Sequence, residues 1–512
     1  MTEAAPAAGP ETRRLLVNCA VMLPTIMHSV DITIATVALP SVQGALSATQ
    51  DQVAWVLTAY VIAVAIVTPA TGWLAGRLGR RRLFLIAVTG FTLTSMLCGA
   101  AQSLPELVLF RLFQGGFGAG LIPLSQAVVL DTYPPREHGR AMAIWGIGVM
   151  AGPIIGPTLG GYLTEFYNWR WVFYINLPIG ILALLGILAF VPDTTRHNRA
   201  LDLFGFGALA LSIACLQMVL DRGERLDWFD DPEIVIGFVF AVVGAYFYIV
   251  HSFTHHRPFL DPQLFRDRNF IAGLMLGFSA HVCLYSTVAL LPPFLQNLLE
   301  YPVVTSGFLF IPRAIGTLIG MFIVSRIADW ADPRAMILAG LLIAAYGLWQ
   351  MTGFTLEVEP HEIVISGLLL GIGLGLIFVP VSTTAFSSLP RALRTEGAGI
   401  YAVVRSLGAS LGISVFVTLF VRNAQANRSA LVENVSPYNN LFRAPYLPPQ
   451  WSLGHSEGLS SLSRVVDRQA EMIAYVWDFQ VLMLLTLAVI PLVFLITPPK
   501  KAAKGEPPAA RE

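Results

Sequence analysis

Charge is what this 512-residue chain has least of: Asp, Glu, Lys and Arg make up 12% of it. Soluble globular domains carry roughly 25%, so about half the usual charge is missing. Acids and bases cancel to a net charge of zero, which excludes the basic footprint of a nucleic-acid binder. Cysteine is scarce as well. Cys19, Cys98, Cys215 and Cys283 sit in separate apolar runs without metal-ligand spacing, so they read as buried free thiols. No P-loop, zincin helix or nucleophile elbow occurs. GFGAG (116–120) lies inside an apolar run and not after a strand, so it is helix-packing glycine and not a phosphate cradle. These absences argue against an ATP-driven engine and against an enzyme. They leave an ion gradient as the energy source, with no metal and no cofactor expected.

What the chain has is apolar length: 55% of residues are hydrophobic, with a mean hydropathy of +0.66. Runs of about 20 apolar residues span a bilayer as helices. Fourteen are read, at 15–39, 52–72, 83–102, 106–128, 140–163, 171–191, 203–220, 233–252, 269–291, 305–325, 335–353, 362–386, 396–420 and 478–498. The first is too long for a signal-peptide core. With the N-terminus in the cytoplasm, 21 of the 32 Lys and Arg residues fall in cytoplasmic segments, as the positive-inside rule requires. Both termini are then cytoplasmic.

Three segments recur. FGAGLIP (117–123) is echoed by IGLGLIF (372–378), TYPPREHGRA (132–141) by SLPRALRTEGAG (388–399), and GWLAGRLGRRR (72–82) by SRIADWADPRA (325–335). The offsets of 255, 258 and 253 residues agree. Both copies share a loop side, so the repeat is parallel, as in transporters built from two six-helix halves. The expected plan is a cytoplasmic N-terminus (1–14), a first half (15–192), two extra helices (193–260), a second half (261–500) and a cytoplasmic tail (501–512). Within the second half, 421–477 is a long outer loop. VRNAQANRSALVENV in it could prolong the preceding helix, and SSLSRVVDRQAEMIAYVW looks amphipathic.

Gly148, Gly152, Gly156 and Gly160 recur at a spacing of four, with Pro153 and Pro157 each following a glycine. Four steps advance a helix by only about 40°, so the glycines form one bare stripe against which a neighbour can pack. The prolines free carbonyls that a neighbour must re-satisfy. Asp31 lies nine residues before Pro40, on the order of 13 Å from the outer end. A carboxylate at that depth is costly unless it is protonated, paired or wet, which makes it a candidate proton carrier. Arg111 lies at similar depth and cannot deprotonate, so it can only tune a carboxylate or hold an anion. His28 shares the Asp31 helix face and is a candidate to form a titrating, proton-coupling pair with it, a satisfied polar histidine being the alternative. Arg313, Arg405 and Gln114 are candidates to line a cavity. One acid and three arginines inside spans imply a preference for neutral-to-acidic amphiphiles.

Nearly the whole chain resembles the fourteen-spanner drug:proton antiporters of the major facilitator superfamily, EmrB/QacA type, and most of all the EmrB-like multidrug exporters. The resemblance rests on DITIATVALP (31–40), GWLAGRLGRRRLF (72–84), RLFQGGFGAG (111–120), AGPIIGPTLGG (151–161), WRWVFYINLPIG (169–180), LDRGERLDWF (220–229), LLPPFLQ (290–296) and LVENVSPYN (431–439). It implies an all-α polytopic membrane protein of major facilitator fold: two six-helix halves plus two inserted helices. It also implies proton-driven efflux of amphipathic toxic compounds from a bacterial inner membrane, with Asp31 as proton site and Arg111 as coupling residue. Gly152, Pro153, Gly156 and Pro157 become antiporter-helix residues, and Gly72, Arg77, Gly79, Arg80 and Asp329 a cytoplasmic gating loop. The partners implied are a periplasmic membrane-fusion adaptor (EmrA-like) and a TolC-like outer-membrane channel. Two positions depart from the pattern: Gly76 stands where an acid is usual, and Thr36 where asparagine is. A dedicated exporter of one metabolite (a fatty acid or a self-made antibiotic) and a non-transporting sensor on the same scaffold stay open as alternatives.

Overall fold

The computed structural model describes residues 10–134, 137–194, 200–255, 258–328, 331–390, 393–436, 438–439, 451 and 456–497. Within them every regular element is helical. Hydrocarbon offers no partner for a backbone N–H or C=O, so a long apolar run must satisfy its own. The helices are α1 (Thr12–Ala45), α2 (Gln52–Leu78), α3 (Arg80–Ala100), α4 (Leu104–Thr132), α5 (His138–Phe166), α6 (Trp171–Phe190), α7 (Leu203–Arg222), α8 (Pro232–Thr254), α9 (Arg268–Leu298), α10 (Thr305–Ile327), α11 (Pro333–Met351), α12 (Pro360–Ser387), α13 (Arg394–Glu433) and α14 (Ser456–Val493). Among the described residues 13 are long and apolar enough to cross a membrane, and α5, 29 residues long, coincides with the remaining run.

Helix starts are set locally. Thr49 and Gln52 form a capping box before α2. Asp202, Asp231, Asp267 and Asp332 accept backbone N–H groups at the starts of α7, α8, α9 and α11. Gly79 turns the chain between α2 and α3 at φ 86°, where a side chain would be strained.

Packing repeats as the sequence offsets predict. α1 lies on α5 and α6, α2 on α4, and α3 on α4 and α6. In the last six helices α9 lies on α13 and α14, α10 on α12, and α11 on α12 and α14. Two seams join the six-helix sets, α2 against α13 and α5 against α10, and the repeat exchanges them. α7 packs along both α2 and α13 and so covers only the first seam. α8 packs on α7 and exposes Ile236, Phe240 and Phe247, a surface suited to lipid.

Where one long outer loop is expected at 421–477, its first and last stretches are helical, as their pattern suggests. α13 runs on to Glu433 and α14 starts at Ser456. The two continue side by side, with Arg428 Nε 2.5 Å from Asp467 Oδ1 and Asn427 Nδ2 donating to Ala470 O at 3.5 Å. The amphipathic pattern there lets each helix cover the other outside the bundle. PYNNLFRAPYLPPQ, between them, lies almost wholly outside the described residues.

Candidate functional site

The glycine stripe faces α1. A Cβ at Gly148 would come within 3.1 Å of the Met22 side chain and one at Gly160 within 3.0 Å of Ile34, while Gly152 and Gly156 would collide with Ser29 and Thr33. The bare stripe brings the two backbones within reach of short hydroxyls. Ser29 donates to Val149 O at 2.7 Å, the carbonyl that Pro153, lacking an N–H, cannot serve. Thr33 donates to Gly152 O at 2.9 Å. At Val149 the neighbouring helix thus supplies the missing bond.

On another face of α1 sits Asp31, fully buried and ion-paired with Arg111 of α4 at 2.6 Å. Its other oxygen accepts from Gln114 Nε2 at 2.9 Å and from Asn176 Nδ2 of α6 at 2.8 Å. Gln114 Oε1 accepts from Arg111 at 2.9 Å, and Asn176 also donates to Ser95 Oγ of α3 at 2.9 Å. The guanidinium lies 4.1 Å over the Tyr60 ring and donates to Val56 O at 3.2 Å. Five helices (α1, α2, α3, α4 and α6) therefore surround one buried charge pair with hydrogen-bonding groups, the condition under which such a pair is tolerated. Arg111 Nη2 has no partner in this arrangement.

Gln114 belongs to this cluster, not to the cavity where it was expected. Its position three residues after Arg111 puts both on one face, and that face is turned to α1. No hydrogen bond or ion pair joins His28 to Asp31, although the two are three residues apart. Its Nδ1 is hydrogen-bonded to the Tyr60 hydroxyl at 2.8 Å. Asn176, Ser95 and Tyr60 were missed by the sequence reading. The signal lay in WRWVFYINLPIG, where an amide interrupts an apolar run.

A cavity of about 410 Å³ opens beside the cluster. It is lined from α1 (His28, Ile32, Thr36), α2 (Leu57, Tyr60, Val61), α4 (Arg111, Ile122), α9 (His281, Tyr285) and α13 (Arg405, Ser410), with Asp221 and Arg225 from α7 and the turn after it. Asp31 is not among the lining residues, so Arg111 stands between it and the cavity. Arg405 lines the cavity and reaches over the Tyr401 ring at 5.7 Å, its Nε buried without a partner. Arg313 does not line it: the side chain donates to Leu284 O at 2.7 Å and lies 5.3 Å over Phe310. The inventory of one acid and three arginines is corrected accordingly, since Asp221 and Arg225 replace Arg313 and Asp31 at the surface. A loop spacing gives no hint that α7 would lean over this seam.

At the end of the bundle bearing the arginine-rich loops, the seams are tight. A Cβ at Gly72 would come within 2.6 Å of Glu396 Cα, and one at Gly399 within 2.8 Å of Thr68 O. Arg80 pairs with Asp131, Asp131 also pairs with Arg394 at 3.0 Å, and Arg80 Nε donates to Thr395 Oγ1 at 2.9 Å. Asp131, unremarked in the sequence, thus ties α3 and α4 to α13. Arg77 lies 5.3 Å over Trp73, a Cβ at Gly76 would meet nothing within 4 Å, and Asp329 lies outside the described residues. His138, also at this end, has its pKa lowered, chiefly by burial.

Residues 21–413 match the profile of the Major Facilitator Superfamily. The chain is 34% identical over 435 residues to "Multidrug export protein EmrB" of Escherichia coli K12, covering 84% of this chain and 85% of the relative. It is 31% identical over 490 residues to "Fatty acid resistance protein FarB" of Neisseria gonorrhoeae, covering 94% and 96%. The human organic anion transporter MFSD10 superposes with a TM-score of 0.58 at 15% identity, over 92% of this chain and 99% of that one.

Proposed function

Because the chain belongs to the Major Facilitator Superfamily, a family of transporters and not enzymes, we propose that it is a proton-coupled exporter of amphipathic toxic compounds. The observation that carries this reading is the buried Asp31–Arg111 pair standing against the wall of a mostly apolar cavity. Relatives named for multidrug export and for fatty acid resistance support the substrate class.

In this mechanism a proton arriving at Asp31 cancels its charge and ends the ion pair. Arg111 is then left without a counter-ion at the cavity wall and swings into the cavity, where it takes the space of the substrate's apolar tail and displaces it. Loss of the proton to the cytoplasm restores the pair and clears the cavity for the next substrate. Coupling thus comes from one guanidinium that sits either in the ion pair or in the cavity, so proton and substrate exclude each other, and the proton gradient does the work without a cofactor. The first six and last six helices act as two rocking halves, and the cluster of Arg80, Asp131 and Arg394 holds their basic ends together when the opposite end is open. Arg405 provides the contact for an acidic head group, so weak acids are favoured over lipophilic dications.

The setting we infer for this multi-pass membrane protein is a bacterial inner membrane with both termini cytoplasmic. The paired extensions of α13 and α14 then project into the periplasm. They form the docking surface for an EmrA-like membrane-fusion adaptor, which leads to a TolC-like outer-membrane channel. Deletion of 421–477 with adaptor pull-down retained would remove that assignment.

The test is uptake of a weakly acidic amphiphile into everted vesicles under an imposed pH gradient, for wild type and Asp31→Asn. Gradient-dependent uptake that is lost in the variant supports the reading, and uptake that survives moves the proton site elsewhere. Preference for organic dications over weak acids would sink the assignment of Arg405.

A further inference from the structure

The two six-helix sets alone would leave their two seams equivalent, yet the cavity lies on the side that α7 covers. Low on this seam the cover is apolar: Ile213 of α7 packs with Ala65 of α2 and Val403 of α13. Higher up it becomes polar. Gln217 is buried, hydrogen-bonds Ser410 of α13, and donates to Asp221 Oδ1 at 2.9 Å. Beyond the helix end, Trp228 Nε1 donates to Thr418 of α13 at 2.8 Å, and Arg222 lies 5.0 Å over the Trp55 ring of α2 while pairing with Glu233. The inserted hairpin is thus pinned to a helix of each six-helix set, and it delivers Asp221 to the cavity in a fixed position.

We propose that Asp221 is the cation-recognising residue of the cavity, extending its range to amphiphiles that carry a basic or quaternary nitrogen; this rests on the exporter reading above. Asp221 is the one acid among the described residues that line the cavity. No ion pair joins it to Arg225, the lining cation four residues on, and Arg222 is committed to Glu233. Its bond from Gln217 orients the carboxylate without neutralising it. The cavity is mostly apolar, so an ammonium group near Asp221 leaves its tail against Ile32, Leu57 and Val61. Arg405, from the other part of the lining, serves acidic head groups. Two charge-sorting points on one apolar chamber account for a broad substrate range without rearrangement of the walls.

The experiment is equilibrium binding to the full-length protein in lipid nanodiscs. It uses two probes with the same tail, dodecyltrimethylammonium and dodecanoate. Asp221→Asn weakens the cation by about tenfold, as loss of one partly exposed charge contact allows, and leaves dodecanoate unchanged. Arg225→Gln tightens the cation, a gain that misfolding cannot produce. Unchanged cation binding in both variants, or equal loss of both probes in Asp221→Asn with no gain in Arg225→Gln, overturns the proposal. Selective loss of cation binding in a protein that shows no gradient-driven flux would leave Asp221 standing and refute the exporter reading instead.

Discussion

The first six helices and the last six follow one packing scheme and differ in what they bury. In the first set Asp31, Arg111, Gln114, Asn176 and Ser95 form a continuous polar network from α1, α3, α4 and α6. In the second, Arg313 has a carbonyl and a phenyl ring for partners and an unpartnered Nη1. Asp478 of α14 is buried with both oxygens unpartnered. Duplication therefore preserved helix contacts, which depend on shape, and not the charge network, which depends on a handful of side chains. In the mechanism proposed above, the two halves move as equal bodies while the proton site stays in one of them.

That comparison can be broken most sharply at Asp31. Asp31→Asn strands the Arg111 charge and lowers stability by about 3–5 kcal/mol. Asp31→Asn combined with Arg111→Gln recovers much of it, and thermal unfolding in nanodiscs reads both. Asn176→Leu removes one donor from the network and costs about 1–3 kcal/mol in the same assay. Gly156→Val drives a branched side chain into Thr33, destabilising by about 1–3 kcal/mol and arresting efflux. The neighbouring Gly161→Ala, where a Cβ meets nothing within 4 Å, is silent in both readouts. Asp131→Asn frees Arg80 and Arg394 and costs only about 1 kcal/mol, because the cluster is partly exposed. Its signature is a broader distance distribution between spin labels at the exposed positions Arg77 and Ser387, one in each six-helix set. Arg313→Gln sharpens the contrast by doing least, leaving gradient-driven efflux close to that of wild type.

The helices were legible because apolar run length is a one-dimensional property, and the repeat because loop motifs recur at one offset. Asp31 and Arg111 were legible for a similar reason, since ionisable residues inside apolar runs are few. Their partners were harder to see. Asn176 lies 145 positions from Asp31, and nothing in local spacing links an amide on α6 to an acid on α1. Arg313 and Gln114 show the limit of the same rule: depth within a span says nothing about which way a side chain faces. The extension of α13 and α14 was half visible, because amphipathic pattern marks a helix but not the partner that covers its apolar face. Asp221 and Asp131 stood at helix ends, where acids are ordinary, and only tertiary packing separates them from solvated caps.

The central claim is that Arg111 leaves Asp31 for the cavity, and displaces the substrate, when Asp31 takes up a proton. Proton release on substrate binding tests it directly, by adding dodecanoate to purified, weakly buffered protein with a pH-sensitive dye. The account predicts proton release in wild type that vanishes in Asp31→Asn while dodecanoate still binds. An equal change in both proteins would place the coupled proton on another group and contradict it.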